Sequence, residues 1–247
     1  HPQPHPAAPA GMPAAPGAPV WGAPPPPPKS STGKIVGIVV ACVAGLALLA
    51  SLSAVVLYMA ADDKDDSGNG KAAKPTGKRY SLKLRDTVLD GEYKLADDVS
   101  KEVQADLDAE VGGDQYTSVS GVYAPAGDGE DSLTVLAFHG DIELPGMEKR
   151  GFLRGSAEDE GTRVVRKATD FEIPGASGTV TCQVLAEKED GVGDIIIPTC
   201  VWADRDMLVS TVVGDPELVD ADPKAVDLEA AAKDLVTIRD ELRVPRK

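Results

Sequence analysis

The stretch TVTCQVLAEKEDGVGDIIIPTCVWA, residues 179–203, holds two β-rich runs on either side of a polar turn. Thr179–Ala186 and Asp194–Ala203 are rich in β-branched and apolar residues, and the charged, glycine-containing segment between them favours a chain reversal. The two runs therefore predict neighbouring strands of a hairpin. Cys182 lies in the first run and Cys200 in the second, so we expect strand pairing to bring their Cβ atoms close together.

Runs of similar character predict further strands on both sides of this hairpin. Residues 79–84 alternate polar and apolar side chains, which indicates a half-buried strand. Leu133–His139 is apolar on both faces, as is typical of a central strand. The other predicted strands are Gln115–Ala124, which a long turn at residues 125–131 joins to Leu133–His139, then Arg163–Ile173 and Met207–Val213.

Two helices are predicted before the hairpin. In residues 97–110, Val99, Val103 and Leu107 recur at every fourth position, and two glycines then end the pattern. That spacing places the three side chains on one face of an amphipathic helix. Pro145–Arg154 is predicted to form a second, shorter helix.

The strongest helical pattern lies near the end of the chain. Asp222 followed by Pro223 is typical of a helix start, with Asp as N-cap and Pro at the first helical position. An apolar stripe then recurs at spacings of three and four: Leu228, Ala231, Leu235, Ile238 and Leu242. The neighbours of this stripe are polar: Glu229, Lys233, Asp234, Arg239 and Asp240. We expect the stripe to pack on the sheet, since it is short for a coiled-coil seam.

These elements predict one α+β domain over residues 79–247, with a mainly antiparallel sheet packed by an N-terminal and a C-terminal helix. An immunoglobulin-like sandwich places its tryptophan between the two cysteines. In this chain Trp202 follows both cysteines. The order of residues therefore argues against that sandwich.

Upstream of the domain, residues 35–61 form an uncharged apolar run. As a helix at ~1.5 Å per residue the run would reach about 40 Å, enough to cross a hydrocarbon core of about 30 Å. A cleaved signal peptide has a shorter apolar core, and a lipidated Cys42 would end its apolar segment instead of standing inside it. We therefore predict one transmembrane helix that places the lipid bilayer around residues 35–61.

The charges beside this run predict its orientation. Lys29 and Lys34 precede it, whereas four aspartates and Lys64 follow it directly. The positive-inside rule then puts the N-terminus in the cytoplasm and residues 79–247 outside the cell membrane. The later basic residues between 71 and 79 reduce this asymmetry without reversing it.

The segments on the two sides of the apolar run are low in core-forming residues. Residues 1–34 contain twelve of the twenty prolines and no acidic residue, so we expect a disordered tail with polyproline-II character. Two roles are open for this tail: a spacer without a partner, or a ligand for a proline-binding groove in which Trp21 is the anchor. Residues 62–78 are predicted to be a flexible linker.

The net charge of the chain argues against nucleic acid as a class of partner. The chain carries −15, and because residues 1–61 contain two lysines and no other charged side chain, residues 62–247 carry −17. Phosphate binding needs a basic surface, so nucleic acid is not an expected partner. The acidic segment at 128–132 lacks the ligand spacing of an EF-hand, so it predicts no calcium site.

An extracytoplasmic location predicts that Cys182 and Cys200 form a disulfide, because oxidising compartments permit the bond. A redox pair usually has C-x-x-C spacing or a cationic neighbour, and neither pattern is present. A metal site would have His139 as its nearest third ligand, which is a weak ligand set. Trp202 shares a strand face with Cys200, so we expect it to pack on the disulfide.

No motif predicts catalysis, and no cofactor or metal site is expected. His139 is the sole histidine after residue 5 and precedes Asp141, but no nucleophile is identified for such a pair. The segment at 175–178 is not a nucleophile elbow, and phosphate-binding glycine loops are missing from the sequence. We therefore assign no catalytic residue.

Several segments together resemble single-pass membrane proteins of actinomycete (Streptomyces-type) bacteria that have no known activity. They are the proline run before Lys29, the apolar run, the Cys200–Asp204 sequence CVWAD, the valine-rich strand after it, and Ile238–Glu241 in the last helix. The resemblance covers most of the chain. It implies an extracytoplasmic, disulfide-bearing α+β domain and carries over no catalytic residues.

The sequence therefore predicts a membrane-anchored, non-catalytic domain that binds an envelope protein or a small ligand outside the cell membrane. One alternative is a sensor that signals through its proline-rich tail. A more remote alternative is a cell-envelope hydrolase that uses His139.

Overall fold

A computed structural model describes residues 79–111, 116–158, 161–189 and 191–246. The predicted tail, membrane helix and linker, residues 1–34, 35–61 and 62–78, lie outside the described residues. Within the described ranges, none of the helices combines the length and apolarity that crossing a membrane requires.

The described residues form a mainly antiparallel α+β structure. In chain order the elements are β1 (Tyr80–Leu82), β2 (Thr87–Val88), β3 (Tyr93–Asp98), α1 (Ser100–Val111), β4 (Tyr116–Ser118), β5 (Gly121–Pro125), β6 (Ser132–Gly140), α2 (Pro145–Gly155), β7 (Thr162–Phe171), β8 (Val180–Glu189), β9 (Gly193–Ala203), β10 (Met207–Gly214), α3 (Leu228–Leu242) and β11 (Arg243–Pro245). A single 3-10 turn, Pro216–Leu218, lies between β10 and α3.

Nine of these strands form one sheet in the order β2-β3-β5-β6-β10-β9-β8-β7, with β4 also paired to β6. β6 lies between β5 and β10 and is buried along its first seven residues, which confirms the predicted central strand. β8 and β9 pair antiparallel as the predicted hairpin. Strands β1 and β11 pair with each other as a separate two-stranded ribbon.

The core lies on both faces of the large sheet. Neighbouring residues of one strand point to opposite faces, and β9 shows the division: Trp202 belongs to the cluster that includes α3, whereas Val201 belongs to the cluster that includes α1 and α2. The sheet is therefore the middle of three layers.

The last helix begins later than the sequence predicted. Asp222 was expected to be its N-cap, but it caps a local turn in which its side chain accepts a hydrogen bond from Lys224 N–H. The helix begins at Leu228, and its N-cap is Asp227, whose Oδ1 accepts from the backbone N–H groups of Glu229 and Ala230 at 3.1 and 3.0 Å. The prediction was wrong because two aspartates five positions apart satisfy the same capping rule.

The predicted strand Gln115–Ala124 is divided into β4 and β5. Ser120 lies between them, where its N–H donates to the Ser100 hydroxyl at 3.0 Å and its carbonyl accepts from that hydroxyl at 3.1 Å. At this point Ser120 therefore bonds to the first residue of α1 instead of to a neighbouring strand. Strands β2, β3 and β11 were not predicted, because each is short or rich in charged residues.

Candidate functional site

The two cysteines outside the predicted membrane run are joined. Cys182 of β8 lies directly opposite Cys200 of β9, with their Cα atoms 4.0 Å apart and a disulfide between them. Both side chains are buried, at 0% and 1% exposure. The disulfide therefore belongs to the core of the sheet, where it crosslinks the two strands that the sequence predicted to pair.

Trp202 packs in the same cluster as the disulfide, and Arg239 of α3 covers its ring. The guanidinium carbon lies 4.4 Å from the ring centroid, and Arg239 is 1% exposed. Arg239 Nη2 donates to Asp240 at 2.7 Å and to the Gly175 carbonyl at 3.1 Å. The sequence identified Arg239 only as a polar neighbour of the apolar stripe, because its burial depends on a cation–π partner from a distant strand.

The other charged residues of the two motif segments also hold the chain in place. Asp204 Oδ1 accepts from the N–H groups of Asp206 and Met207 at 2.8 and 3.0 Å, which closes the β9–β10 turn. The carboxylate of Glu241 accepts from the N–H groups of Leu89 and Asp90, whose φ angles are both +53°. Those charges stabilise loops, so each of them has a structural role in the fold.

His139 is the strand-end residue that the sequence considered for catalysis. Its Nδ1 lies 3.2 Å from a guanidinium nitrogen of Arg246, and because guanidinium can only donate, Nδ1 accepts this hydrogen bond. Burial, with a further contribution from Arg246, lowers the pKa of His139. Asp141 is paired instead with Arg79, at 3.9 Å. The two residues thus have separate partners, and the His–Asp pair that the sequence analysis considered is not formed.

Lys149 of α2 is a second side chain with a perturbed pKa. Burial lowers its pKa, and Asp170 opposes that shift. Its ammonium group donates to the Thr179 carbonyl, the Thr179 hydroxyl and the Thr181 hydroxyl at 2.8, 3.0 and 3.1 Å. Each of the three N–H groups of the Lys149 ammonium thus has an acceptor. This arrangement stabilises the charged form of Lys149 and connects α2 to β8.

The described part of the chain also forms a concave site, the α3 cleft, between α3, β6, β10 and the turn before β3. The cleft has a volume of about 240 Å³. Its floor is buried and mostly apolar, formed by Leu133, Pro198, Thr211 and Ile238. Leu89, Val213 and Val226 extend this apolar wall toward the surface.

Small residues and carboxylates on α3 shape the open side of the cleft. Ala230 and Ala231 line it in the first turn of the helix, where their short side chains leave space above β10. Asp227, the N-cap of α3, and Asp234, about two turns into the helix, both line the cleft. Glu92 adds a third carboxylate from the turn before β3.

Three of the described residues that line the cleft are acidic and none is basic, and Arg166 Nη1 donates to the carbonyl of the lining residue Val226 at 2.8 Å. Burial raises the pKa of Asp234, and the charges of Glu92 and Asp227 raise it further. Asp234 therefore carries its charge at a cost that a positive group in the cleft would reduce.

Tyr93 gives the cleft its one aromatic wall. Its hydroxyl donates to Asp131, so the ring is held in place by a partner outside the cleft. Burial, followed by this hydrogen bond, raises the pKa of Tyr93. The side chain consequently remains a neutral phenol over the ordinary pH range and offers a fixed apolar face.

The sequence did not identify this cleft, whose lining comes from four separate segments. The only local signal is the pattern D-x-x-A-A-x-x-D at residues 227–234, which places two small residues between two carboxylates on one helical face. Among the described residues, no three His, Cys, Asp or Glu side chains are grouped in a way that could hold a metal ion.

A comparison of the chain with protein-family models, curated proteins and solved structures finds no match. The cleft is therefore interpreted from its own geometry and charge.

Proposed function

We propose that this protein is a ligand-binding module held at the outer face of the cell membrane, with the α3 cleft as its binding site. The observation that carries the proposal is a concave surface with an apolar floor, a fixed aromatic wall and three carboxylates in its lining. Ligand sites in proteins combine these features: apolar walls supply affinity, and a few polar groups set orientation.

The electrostatics of Asp234 support a binding role for the cleft. A side chain whose charge is disfavoured in the free protein reduces stability, and such residues persist at sites where function needs them. Other charged residues of α3 have favourable partners: Lys233 pairs with Glu229 at 2.8 Å, and Glu241 accepts from two backbone N–H groups. Asp234 differs from them, because the charges that act on it are the carboxylates of Glu92 and Asp227.

The outer location is supported by the Cys182–Cys200 disulfide, because such bonds persist in oxidising compartments. In this proposal residues 35–61 are the membrane span and residues 62–78 the tether. The actinomycete-type resemblance of the CVWAD and IRDE segments agrees with this arrangement.

The binding site is tested by filling the cleft in the full chain, reconstituted in nanodiscs. Ala230 is exposed and lines the cleft, so Ala230→Trp should fill the space without disturbing the core. Lys233→Trp adds the same side chain to the same helix outside the cleft. In a screen of apolar and charged small molecules by ligand-detected NMR, binding should be lost in Ala230→Trp and kept in Lys233→Trp. Equal binding in both variants would refute the proposal.

The location is tested by labelling whole cells with a membrane-impermeant maleimide. A cysteine introduced at Gly70 should be labelled and one at Gly11 should not, in a background where Cys42 is replaced by Ser. Labelling at Gly11 alone would reverse the proposed orientation.

A further inference from the structure

We propose that the ligand of the α3 cleft is a small organic cation, an amine whose apolar part contacts Tyr93 and the cleft floor while its ammonium group lies between Asp234 and Glu92. This inference rests on the proposed function and names the chemical class of the ligand. Its basis is the combination of an apolar cavity with carboxylates from two separate segments, the turn before β3 and α3.

The size of the cleft limits the apolar part. An engineered protein cavity of about 150 Å³ accepts benzene, and the α3 cleft measures about 240 Å³. A single ring with a short aminoalkyl group therefore fits. The ring of Tyr93 and the side chains of Leu133 and Ile238 give such a group apolar contacts on several sides.

The charge of the cleft selects a cation. Glu92 comes from the turn before β3 and Asp234 from α3, and the charge of Glu92 acts on Asp234; none of the described lining residues is basic. An ammonium group between the two carboxylates would replace mutual repulsion by two attractions. It would also lower the pKa of Asp234 toward its ordinary value.

The same geometry disfavours other ligand classes. The N-terminus of α3 is where an anion would bind, but Asp227 already accepts from the N–H groups of Glu229 and Ala230 there. Calcium and magnesium need six or more oxygen ligands, whereas most of the cleft wall is hydrocarbon. A neutral apolar ligand would leave the carboxylates without a partner.

The test compares benzylamine, a cation at pH 7, with benzyl alcohol, its neutral analogue of similar size. Dissociation constants are measured by titration NMR on the full chain in nanodiscs at low ionic strength. Benzylamine should bind more tightly than benzyl alcohol by about three- to tenfold, the range expected for partly exposed ion pairs. The ratio should fall with added salt, because salt screens exposed charges.

Variants assign the preference to the cleft. Asp234→Asn should bring benzylamine affinity close to that of benzyl alcohol. Glu229→Gln, which removes one negative charge from the same helix outside the cleft, should leave the ratio unchanged. Equal loss in both variants would mean that general negative charge attracts the amine, and would overturn the inference.

The two proposals fail in distinguishable ways. Benzyl alcohol binding as tightly as benzylamine, with both abolished by Ala230→Trp, would overturn the cationic ligand and leave the cleft as a binding site. Binding of both compounds that persists in Ala230→Trp would overturn the cleft itself. Absence of benzylamine binding, together with a neutral ligand from the screen, would also overturn only the cationic class.

Discussion

One helix carries two charged regions that differ in how their charge is stabilised. Arg239 of α3 is 1% exposed, stacks on Trp202 and binds Asp240. One helical turn earlier, Asp234 faces the cleft with two other carboxylates near it, and burial together with these charges raises its pKa. The first region joins a cation to an aromatic face and a carboxylate, whereas the second brings like charges together around a concave surface.

This difference separates residues that hold the fold from residues available to a ligand. A buried charge with partners stabilises one arrangement of the chain, and losing a partner is costly. An acidic rim without a cation reduces stability slightly, and a ligand can recover that loss. The CVWAD segment at residues 200–204 and the IRDE segment at residues 238–241 contain residues that hold the fold. They do so even though they are the most recognisable motifs of the sequence.

The largest loss of stability is expected when the Trp202 ring is removed from the region around Arg239. Trp202→Ala removes a side chain with 0% exposure. Both the disulfide and the Arg239 guanidinium then lose the indole ring beside them. The free energy of unfolding should fall by about 3–5 kcal/mol. Urea unfolding followed by circular dichroism measures the change, and a loss under about 1 kcal/mol would contradict the packing described above.

The disulfide provides the next largest effect. The two cysteines are 18 positions apart, and a crosslink that closes a loop of this length contributes about 3 kcal/mol in the chain-entropy model. The double variant Cys182→Ala/Cys200→Ala should lose about that amount. Intact-mass analysis of the unmodified chain should first find the two thiols oxidised; two free thiols would remove the basis of the prediction.

Arg239 tests whether charge or packing matters more in the stabilised region. Arg239→Ala should cost about 2–3 kcal/mol, because it removes a desolvated cation–π contact and buried side-chain volume. Arg239→Met keeps most of that volume and should cost less. Equal losses in the two variants, measured by urea unfolding, would show that the charge alone carries the contribution.

The smallest effect, and the only one of opposite sign, is expected in the cleft. Asp234 has a raised pKa in the folded protein, so its charged form is disfavoured by folding at neutral pH. Asp234→Asn should therefore stabilise the free protein, within the range of about 0.5 kcal/mol typical of surface changes. The gain should be complete above the raised pKa and vanish as the pH falls toward the ordinary Asp value of 3.8.

Thermal unfolding of the two proteins between pH 4 and pH 8 measures this prediction. Glu229→Gln is the matched control, because Glu229 lies on the same helix and pairs with Lys233. It should lose a little stability where Asp234→Asn gains it. A stability loss in Asp234→Asn at pH 7 would show that the carboxylate already has a favourable partner.

The sequence predicted those parts of the fold that depend on local pattern. The strand runs on both sides of the turn at residues 187–194 were sufficient to pair Cys182 with Cys200, because a hairpin joins strands that are adjacent in the chain. The apolar face of α3 was also largely predicted, since the spacing of its leucines is a property of the helix alone.

Features that depend on distant segments were not predicted. The burial of Arg239 requires Trp202, which comes from another element, and long side chains with apolar stems tolerate either environment. The cleft requires the turn at Glu92, the floor of β6 and β10, and the alanines of α3 to meet. The periodicity of apolar residues within one segment does not show which distant segments that segment will contact.

The pairing of β1 with β11 places the two ends of the described domain side by side. Arg246 N–H donates to the Arg79 carbonyl at 3.0 Å, and Tyr80 lies opposite Pro245. A short glycine linker could therefore join residue 246 to residue 79, with new termini opened in the exposed turn at Gly127. Such a circular permutant should keep every strand pair and unfold at a similar temperature, which means that the order of elements along the chain can change while the architecture stays the same.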